Sequence, residues 1–121
     1  MTNKKVLIAE DDDSIARLYQ TYLEAHDFVV QRASNGVEAS EMLQTFSPHV
    51  LLLDIMMPEK SGLDVLKEMK EQQSAVHTIV LSALSNEDEK KKTAEYGAKA
   101  YYVKSQALMS DILDKINELT P

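Results

Sequence analysis

The sequence predicts a three-layer α/β domain, in which a doubly wound sheet of five parallel strands is covered by helices on both faces. Short apolar runs alternate with segments whose apolar residues recur at helical spacing along the whole chain. This alternation is typical of parallel strands joined by crossover helices. The run from His49 to Asp54 is apolar at nearly every position, as expected of a strand that is buried on both faces of a sheet.

The first part of the chain supplies two strand–helix units. Strands are predicted from Lys5 to Ala9 and from Phe28 to Arg32, because both runs are rich in β-branched and other apolar residues. The apolar stripe of the first helix consists of Ile15, Leu18, Tyr19, Tyr22 and Leu23. Asn35-Gly36 predicts a turn, and the stripe of the second helix then follows with Ala39, Met42, Leu43 and Phe46.

The rest of the chain supplies three further strands, each followed by a helix. The predicted strands are His49 to Asp54, His77 to Ser82 and Ala100 to Lys104. Ser61 and Asn86 are suited to cap the third and fourth helices, Glu89 stands at the capping-box position, and Gly97 is suited to end the fourth helix. The stripe of the last helix consists of Leu108, Ile112, Leu113, Ile116 and Leu119.

Composition limits the classes of function that the chain can perform. Its 121 residues suit one domain, expected to span residues 1–121, and the absence of cysteine excludes disulfides and thiolate metal sites. The net charge of −7 disfavours direct binding of nucleic acid, which requires clustered basic side chains. No signal segment or membrane-spanning apolar run is visible in the sequence, so we expect a soluble cytoplasmic protein.

Polar residues follow four of the five predicted strands. Ligands of open parallel sheets bind outside the carboxyl ends of the strands, and the residues found there are Glu10, Asp11 and Asp12, then Asp54, Ser82 and Lys104. Asp12 can equally serve the first turn of a helix, and a single serine or lysine at a strand end is weak evidence. Together at one edge of the sheet, these side chains indicate a functional site.

The residue types at this edge favour phosphoryl chemistry. Carboxylates without histidine or cysteine favour Mg²⁺ or a similar hard cation. Such a cation beside Lys104 can hold a phosphoryl group, and a carboxylate among the ligands can act as nucleophile and form an acyl phosphate. Ser82 could then donate a hydrogen bond to the phosphoryl group, for which Ala83 leaves room. The sequence therefore predicts a phosphorylation switch.

Four motifs in order resemble the receiver domain of two-component response regulators, over essentially the whole chain. The motifs are Val6 to Asp12, Leu51 to Pro58 with Gly62, Ser82-Ala83, and Tyr101 to Lys104. Each lies at a strand end, which makes the combination far more specific than any single motif. The resemblance implies a flavodoxin-like sheet with the strand order 2-1-3-4-5.

The resemblance also implies a role for each acidic residue. Asp54 is expected to be the phosphoacceptor, with a histidine kinase or a phosphotransfer protein as donor. Asp11 is expected to bind Mg²⁺ directly and Glu10 through water, while Asp54 and the backbone carbonyl of Met56 complete the metal ligands. Asp54 would thus be both nucleophile and metal ligand.

The remaining implied roles concern the signal. Ser82 is similar to the family's switch hydroxyl, and Lys104 to its phosphate-pairing lysine. Tyr101 stands where the family has a rotating aromatic, although a packed strand aromatic explains it equally well. The implied output surface is formed by the fourth helix, the fifth strand and the fifth helix, with Asn86 to Tyr96 and Ser105 to Leu119 expected to respond. The resemblance also allows a dimer that depends on phosphorylation.

Three other functions remain as alternatives. An aspartyl-phosphate phosphohydrolase typically has a second acid two residues after its nucleophile, where this chain has Met56. A flavin or nucleotide module needs a glycine-rich or hydroxyl-rich loop after the first strand, where this chain has acids that would repel phosphate. A phosphorylation-independent adaptor of receiver type would not need the site residues, all of which are present here.

The chain departs from the family pattern after Lys104. The family usually has proline at this point, often after a cis peptide, and here Ser105 takes its place. A cis bond before a residue other than proline costs about 2.5–4 kcal/mol, so the sequence leaves the geometry of this peptide open. His26, His49 and His77 are expected to have structural or surface roles.

Overall fold

Five strands alternate with five helices along residues 4–121, the part of the chain that the computed structural model describes. The strands are β1 (Lys5–Ala9), β2 (Val29–Ala33), β3 (Val50–Asp54), β4 (His77–Ser82) and β5 (Ala100–Val103). The helices are α1 (Asp13–Ala25), α2 (Gly36–Thr45), α3 (Gly62–Glu71), α4 (Glu87–Glu95) and α5 (Met109–Leu119). Among these residues no helix combines the length and apolar character needed to span a bilayer.

The strands form one parallel sheet in the order β2-β1-β3-β4-β5, which confirms the predicted fold class. The order reverses direction between β1 and β3, whose last paired residues are Ala9 and Leu53. Glu10, which follows β1, and Asp54, the last residue of β3, are therefore neighbours at the switch point. In a sheet of this kind the switch point is where ligands bind.

The sheet is covered on both faces, because alternate residues of its central strands belong to two separate cores. Val50 and Leu52 pack with α1 and α5, whereas Leu51 and Leu53 pack with α2 and α3. Every residue of β3 is buried, as its continuous apolar run predicts. The phosphoacceptor candidate is thus the last residue of the most enclosed strand of the sheet.

Side chains at the helix ends satisfy backbone N–H groups that have no partner inside the helix. Ser61 accepts from the N–H of Asp64 and Asn86 from that of Glu89, as predicted. The prediction of a turn at Asn35-Gly36 missed that Asn35 caps α2, which begins at Gly36. Gly97 follows α4 with a φ of 95°, a left-handed conformation that glycine adopts at little cost.

Two apolar residues do not pack as their spacing predicts. Leu18 is 60% exposed, because the buried face of α1 is centred on Ala16, Tyr19 and Leu23. Leu108 is 65% exposed and precedes α5, so it is not part of that helix. In α1 the small Ala16 takes a core position that a search for large apolar residues overlooks.

Candidate functional site

The carboxyl edge of the sheet brings together the predicted residues Glu10, Asp11, Asp54, Ser82 and Lys104. Glu10, Asp54 and Ser82 are buried, and Asp11 is exposed. Burial of two carboxylates requires compensating charge or hydrogen bonds, because desolvation of an ion is costly. The contacts around Glu10 and Asp54 therefore define the chemistry of the site.

Lys104 supplies a positive charge to both buried carboxylates. Its Nζ lies 2.6 Å from Oε1 of Glu10 and 3.3 Å from Oδ2 of Asp54. The backbone N–H of Lys104 donates to the carbonyl of Ser82 at 2.8 Å, which holds the start of the loop after β5 against β4. The described residues contain no cis peptide bond, so the peptide between Lys104 and Ser105 is trans.

Lys104 does not fully compensate for the burial of Asp54 and its repulsion by Glu10. Burial raises the pKa of Asp54 to about 7, the negative charge of Glu10 adds to the rise, and Lys104 opposes it. Burial lowers the pKa of Lys104, but the hydrogen bond to Glu10 and the charge of Asp54 outweigh it, so the pKa lies above its usual value. A pKa raised by burial and by a like charge is common at functional sites.

Three acidic side chains are placed to share a metal ion. Glu10, Asp11 and Asp54 each offer an oxygen atom, and these three atoms lie within 4.8 Å of one another. Ligands that are all oxygen fit Mg²⁺ or Ca²⁺ better than a transition metal. A divalent cation would also relieve the repulsion by Glu10 that adds to the raised pKa of Asp54, so the residues present fit the predicted metal.

The other residues next to these acids have different tasks. Asp12 caps α1, its Oδ1 accepting from the N–H of Ile15 at 3.0 Å, which confirms its alternative role. The backbone N–H of Met56 donates to Oδ1 of Asp54 at 3.2 Å, and the Met56 side chain is 72% exposed. The role of the Met56 carbonyl as a metal ligand stays a prediction.

Close backbone packing fixes the loop between β3 and α3. The N–H of Gly62 donates to the carbonyl of Ile55 at 2.9 Å, and an added Cβ on Gly62 would lie 2.2 Å from the carbonyl oxygen of Asp54. The ammonium of Lys60 hydrogen-bonds both Ser40 of α2 and Glu68 of α3. This loop, which begins directly after Asp54, is thus tied to two helices.

A second group of hydrogen bonds links Ser82 to α4 and β5. Oγ of Ser82 donates to the carbonyl of Leu84 at 2.8 Å. The hydroxyl of Tyr101 contacts the same carbonyl at 3.1 Å and donates to Oε1 of Glu89 at 2.6 Å. Burial raises the pKa of Tyr101, and the hydrogen bond to Glu89 raises it further.

These bonds contradict the predicted capping box of α4, whereas the rotating or packed role of Tyr101 in β5 stays a prediction. Glu89 does not complete a capping box, because its carboxylate accepts from Tyr101 rather than from the backbone of Asn86. Tyr101 is partly buried and its hydroxyl points toward α4, so it is connected to Ser82 through one shared carbonyl. The sequence did not reveal this link, since it joins residues that are far apart in the chain.

The histidines lie outside the acidic cluster, in keeping with the structural roles expected of them. Nδ1 of His49 accepts from the N–H of Lys5 at 3.0 Å, which places it near the amino end of β1. The His26 ring packs at a tilt against the Tyr22 ring, and its Nδ1 lies 2.9 Å from the Tyr22 carbonyl. Both contacts are local to strand or helix ends.

Comparison with known proteins agrees with this geometry. The family model for the response regulator receiver domain matches residues 6–117. The chemotaxis protein CheY of Halobacterium salinarum is 31% identical over 116 residues, which cover 96% of each chain. The regulatory protein PhoP of Bacillus subtilis is 35% identical over 102 residues, 84% of this chain and 42% of PhoP. The chain therefore spans less than half of PhoP but nearly all of CheY.

Solved structures show the same relationship. The receiver domain of the Francisella response regulator 1452 has a TM-score of 0.91 and 31% identity, covering 97% of this chain and 96% of the other. The BeF3-activated receiver domain of RstA from Klebsiella pneumoniae has a TM-score of 0.87 and 27% identity, covering 94% and 96%. By fold, by sequence and by the residues at its carboxyl edge, this chain belongs to the receiver domain family of two-component response regulators.

Proposed function

We propose that the chain is a phosphoacceptor whose Asp54 is phosphorylated in a Mg²⁺-dependent reaction. The observation that carries the proposal is the environment of Asp54: a buried carboxylate at the switch point, 3.3 Å from Nζ of Lys104 and clustered with Glu10 and Asp11. A surface carboxylate with a structural role would need neither the lysine nor the two further acids. The phosphoryl donor is a histidine kinase or a phosphotransfer protein.

The transfer step uses the ionised form of Asp54. One carboxylate oxygen attacks the phosphorus of a phosphohistidine, the new P–O bond forms as the P–N bond breaks, and the electron pair returns to the imidazole nitrogen. Mg²⁺ held by Glu10, Asp11 and Asp54 would neutralise charge on the phosphoryl oxygens. Glu10 and Lys104 already form an ion pair, so the site is assembled before the phosphoryl group arrives.

Lys104 and Ser82 stabilise the product. Lys104, which contacts Asp54 before reaction, pairs with a phosphoryl oxygen after it. Oγ of Ser82 leaves the Leu84 carbonyl and donates to another phosphoryl oxygen. This exchange removes one of the two hydroxyls that meet at that carbonyl, and so connects phosphorylation to Tyr101 and Glu89.

The signal leaves through the face formed by α4, β5 and α5. Rearrangement at the Leu84 carbonyl changes the contact of Tyr101 with Glu89 on α4, so the first element to respond is the start of α4. We propose an output protein or domain as the partner of this face, and a phosphorylation-dependent dimer is a further state that it supports. Amide exchange with and without beryllofluoride tests this, and unchanged exchange from Asn86 to Tyr96 would count against it.

A phosphohydrolase is the second candidate, and the structure offers little for it. The Met56 side chain occupies the place where such an enzyme needs a general acid–base, and a thioether cannot transfer a proton. The proposed function is therefore regulatory. Rapid turnover of phosphate monoesters would favour the enzyme instead.

The direct test is incubation with acetyl phosphate and Mg²⁺, followed by intact-mass measurement. The proposal predicts that one phosphoryl group is added, that chelation of the metal prevents it, and that Asp54→Asn prevents it as well. Equal labelling of the Asp54→Asn variant would show that the acceptor is another residue.

A further inference from the structure

Arg32, the fourth residue of β2, reaches across to the loop that carries the metal-binding acids. Its Nε donates to the backbone carbonyl of Glu10 at 2.9 Å, and its Nη1 forms an ion pair with Oδ1 of Asp13 at 2.8 Å. One guanidinium group thus holds both ends of the short segment that joins β1 to α1.

This segment contains two of the three acids proposed to bind Mg²⁺. The backbone of Glu10 is bonded to β2 at two points. Its carbonyl accepts from Arg32, and its N–H donates to the carbonyl of Ala33 at 3.0 Å. The Glu10 side chain in turn accepts from the N–H of Asp12 at 3.2 Å. Arg32 thus holds the backbone before Asp11 through the Glu10 carbonyl and contacts the first residue of α1 through the Asp13 side chain, which is 82% exposed.

Two features of Arg32 are unfavourable for the isolated domain. Nη2 of Arg32 is buried and has no hydrogen-bond partner among the described residues, and a buried donor without a partner is destabilising. The guanidinium is also bonded to the carbonyl of Glu10, a residue proposed to bind the metal, so its positive charge repels a divalent cation there. Because both features are unfavourable, a contribution to stability does not explain arginine at this position. The two groups that its donors hold in place explain it better.

We propose that Arg32 is a positioning residue for the Mg²⁺ site, holding Glu10 and Asp11 so that their carboxylates face Asp54. The inference rests on the proposed function, since it concerns the same metal. Residues that orient metal ligands through hydrogen bonds typically change affinity about 10- to 100-fold when they are removed. The expected loss for Arg32→Met is about tenfold in Mg²⁺ affinity.

The sign of the effect separates positioning from electrostatics. Removal of a positive charge beside a cation site strengthens binding by charge alone, whereas loss of a positioning residue weakens it. Arg17 provides a matched control, because it is exposed and lines the same cavity of about 260 Å³ as Arg32. Arg17→Met makes the same change of charge without touching the segment between β1 and α1.

The experiment measures Mg²⁺ affinity by calorimetry for the whole chain at constant ionic strength and pH 8. Wild type, Arg32→Met, Arg32→Lys and Arg17→Met are compared, and the urea midpoint of each is recorded. The proposal predicts weaker binding for both Arg32 variants, since lysine keeps the charge but not two donors at fixed separation. Arg17→Met binds as well as wild type or better.

The other possible results overturn either this inference alone or the proposed function as well. Wild-type affinity in folded Arg32→Lys or Arg32→Met overturns the inference and leaves the proposed function standing, as does a loss of stability without a loss of affinity. Wild-type protein that shows no saturable Mg²⁺ binding overturns the proposed Mg²⁺-dependent function and this inference with it.

Discussion

Replacement of Asp54 by asparagine should stabilise the metal-free domain, and the gain should grow with pH. In the folded protein the pKa of Asp54 is about 7, compared with an ordinary value of 3.8, which we take for the unfolded chain. Below pH 3.8 the carboxyl is protonated in both states and costs nothing. As the pH rises toward 7, the unfolded chain loses its proton first, so wild-type stability falls.

The size of the effect follows from the same shift. Each unit of pKa corresponds to about 1.4 kcal/mol, so ionised Asp54 costs the fold up to about 4 kcal/mol at pH 8. More than half of this cost is added between pH 5 and pH 8 by the same linkage. Asparagine has no charge to desolvate and does not repel Glu10, although it loses the ion pair with Lys104, so these figures are upper values.

Urea denaturation of both proteins at several pH values, without divalent cations, measures this difference directly. The expected result is an Asp54→Asn variant that is more stable than wild type at pH 8, with a difference that shrinks toward pH 5. Added Mg²⁺ should reduce the difference at pH 8, because a ligand that binds only the folded state stabilises it. A difference that is absent at pH 8, or independent of pH, would refute the electrostatic account of the site.

Three further substitutions test the loops around the site. Gly62→Ala should cost about 3 kcal/mol of stability, since its Cβ would lie 2.2 Å from the carbonyl oxygen of Asp54 and backbone cannot easily move aside; urea denaturation measures it. We expect slow self-dephosphorylation in wild type, because Met56 cannot position a water by hydrogen bonding, and Met56→Asn should shorten the phosphoryl half-life about tenfold, as followed by intact mass. Lys60→Met should raise the pKa of Glu68, which the hydrogen bond from Lys60 holds below its usual value, as measured by NMR titration.

Each of these substitutions has a control or a contradicting outcome. Gly97→Ala meets no atom within 4 Å and should cost only the left-handed backbone penalty of about 1–2 kcal/mol. A wild-type phosphoryl half-life of seconds would contradict the role given to Met56. Lys67→Met removes an exposed lysine from the same helix as Glu68 and should leave the pKa of Glu68 unchanged; an equal rise would show a general charge effect.

The strand ends and the polar side chains that they bring together were the part of the structure best predicted from sequence. Glu10, Asp54, Ser82 and Lys104 each follow an apolar run, and parallel strands bring such positions to one edge. The fold, and the convergence of these side chains at one edge of the sheet, can therefore be predicted from local sequence patterns. The structure places all four where the strand ends predict.

Contacts made by long side chains could not be predicted in this way. Arg32 reaches the carbonyl of Glu10, 22 residues away in sequence, and no local pattern specifies that pair. Glu89 has the spacing of a capping box, yet a partner from β5, Tyr101, takes its carboxylate at 2.6 Å. A tertiary hydrogen bond from Tyr101 therefore takes the place of the capping-box bond to the backbone of Asn86. Sequence spacing can predict only the capping-box bond, because that bond joins residues near each other in the chain.

The central claim, that Asp54 is the residue that carries the phosphoryl group, is tested most directly by chemical trapping. Borohydride reduces an acyl phosphate: hydride adds to the acyl carbon, phosphate leaves, and a second hydride yields the alcohol, so phosphorylated aspartate becomes homoserine. After reaction with acetyl phosphate and Mg²⁺, peptide mass spectrometry should find homoserine at position 54 and, without Mg²⁺, aspartate there. Homoserine at another position, with Asp54 unchanged, would contradict the account.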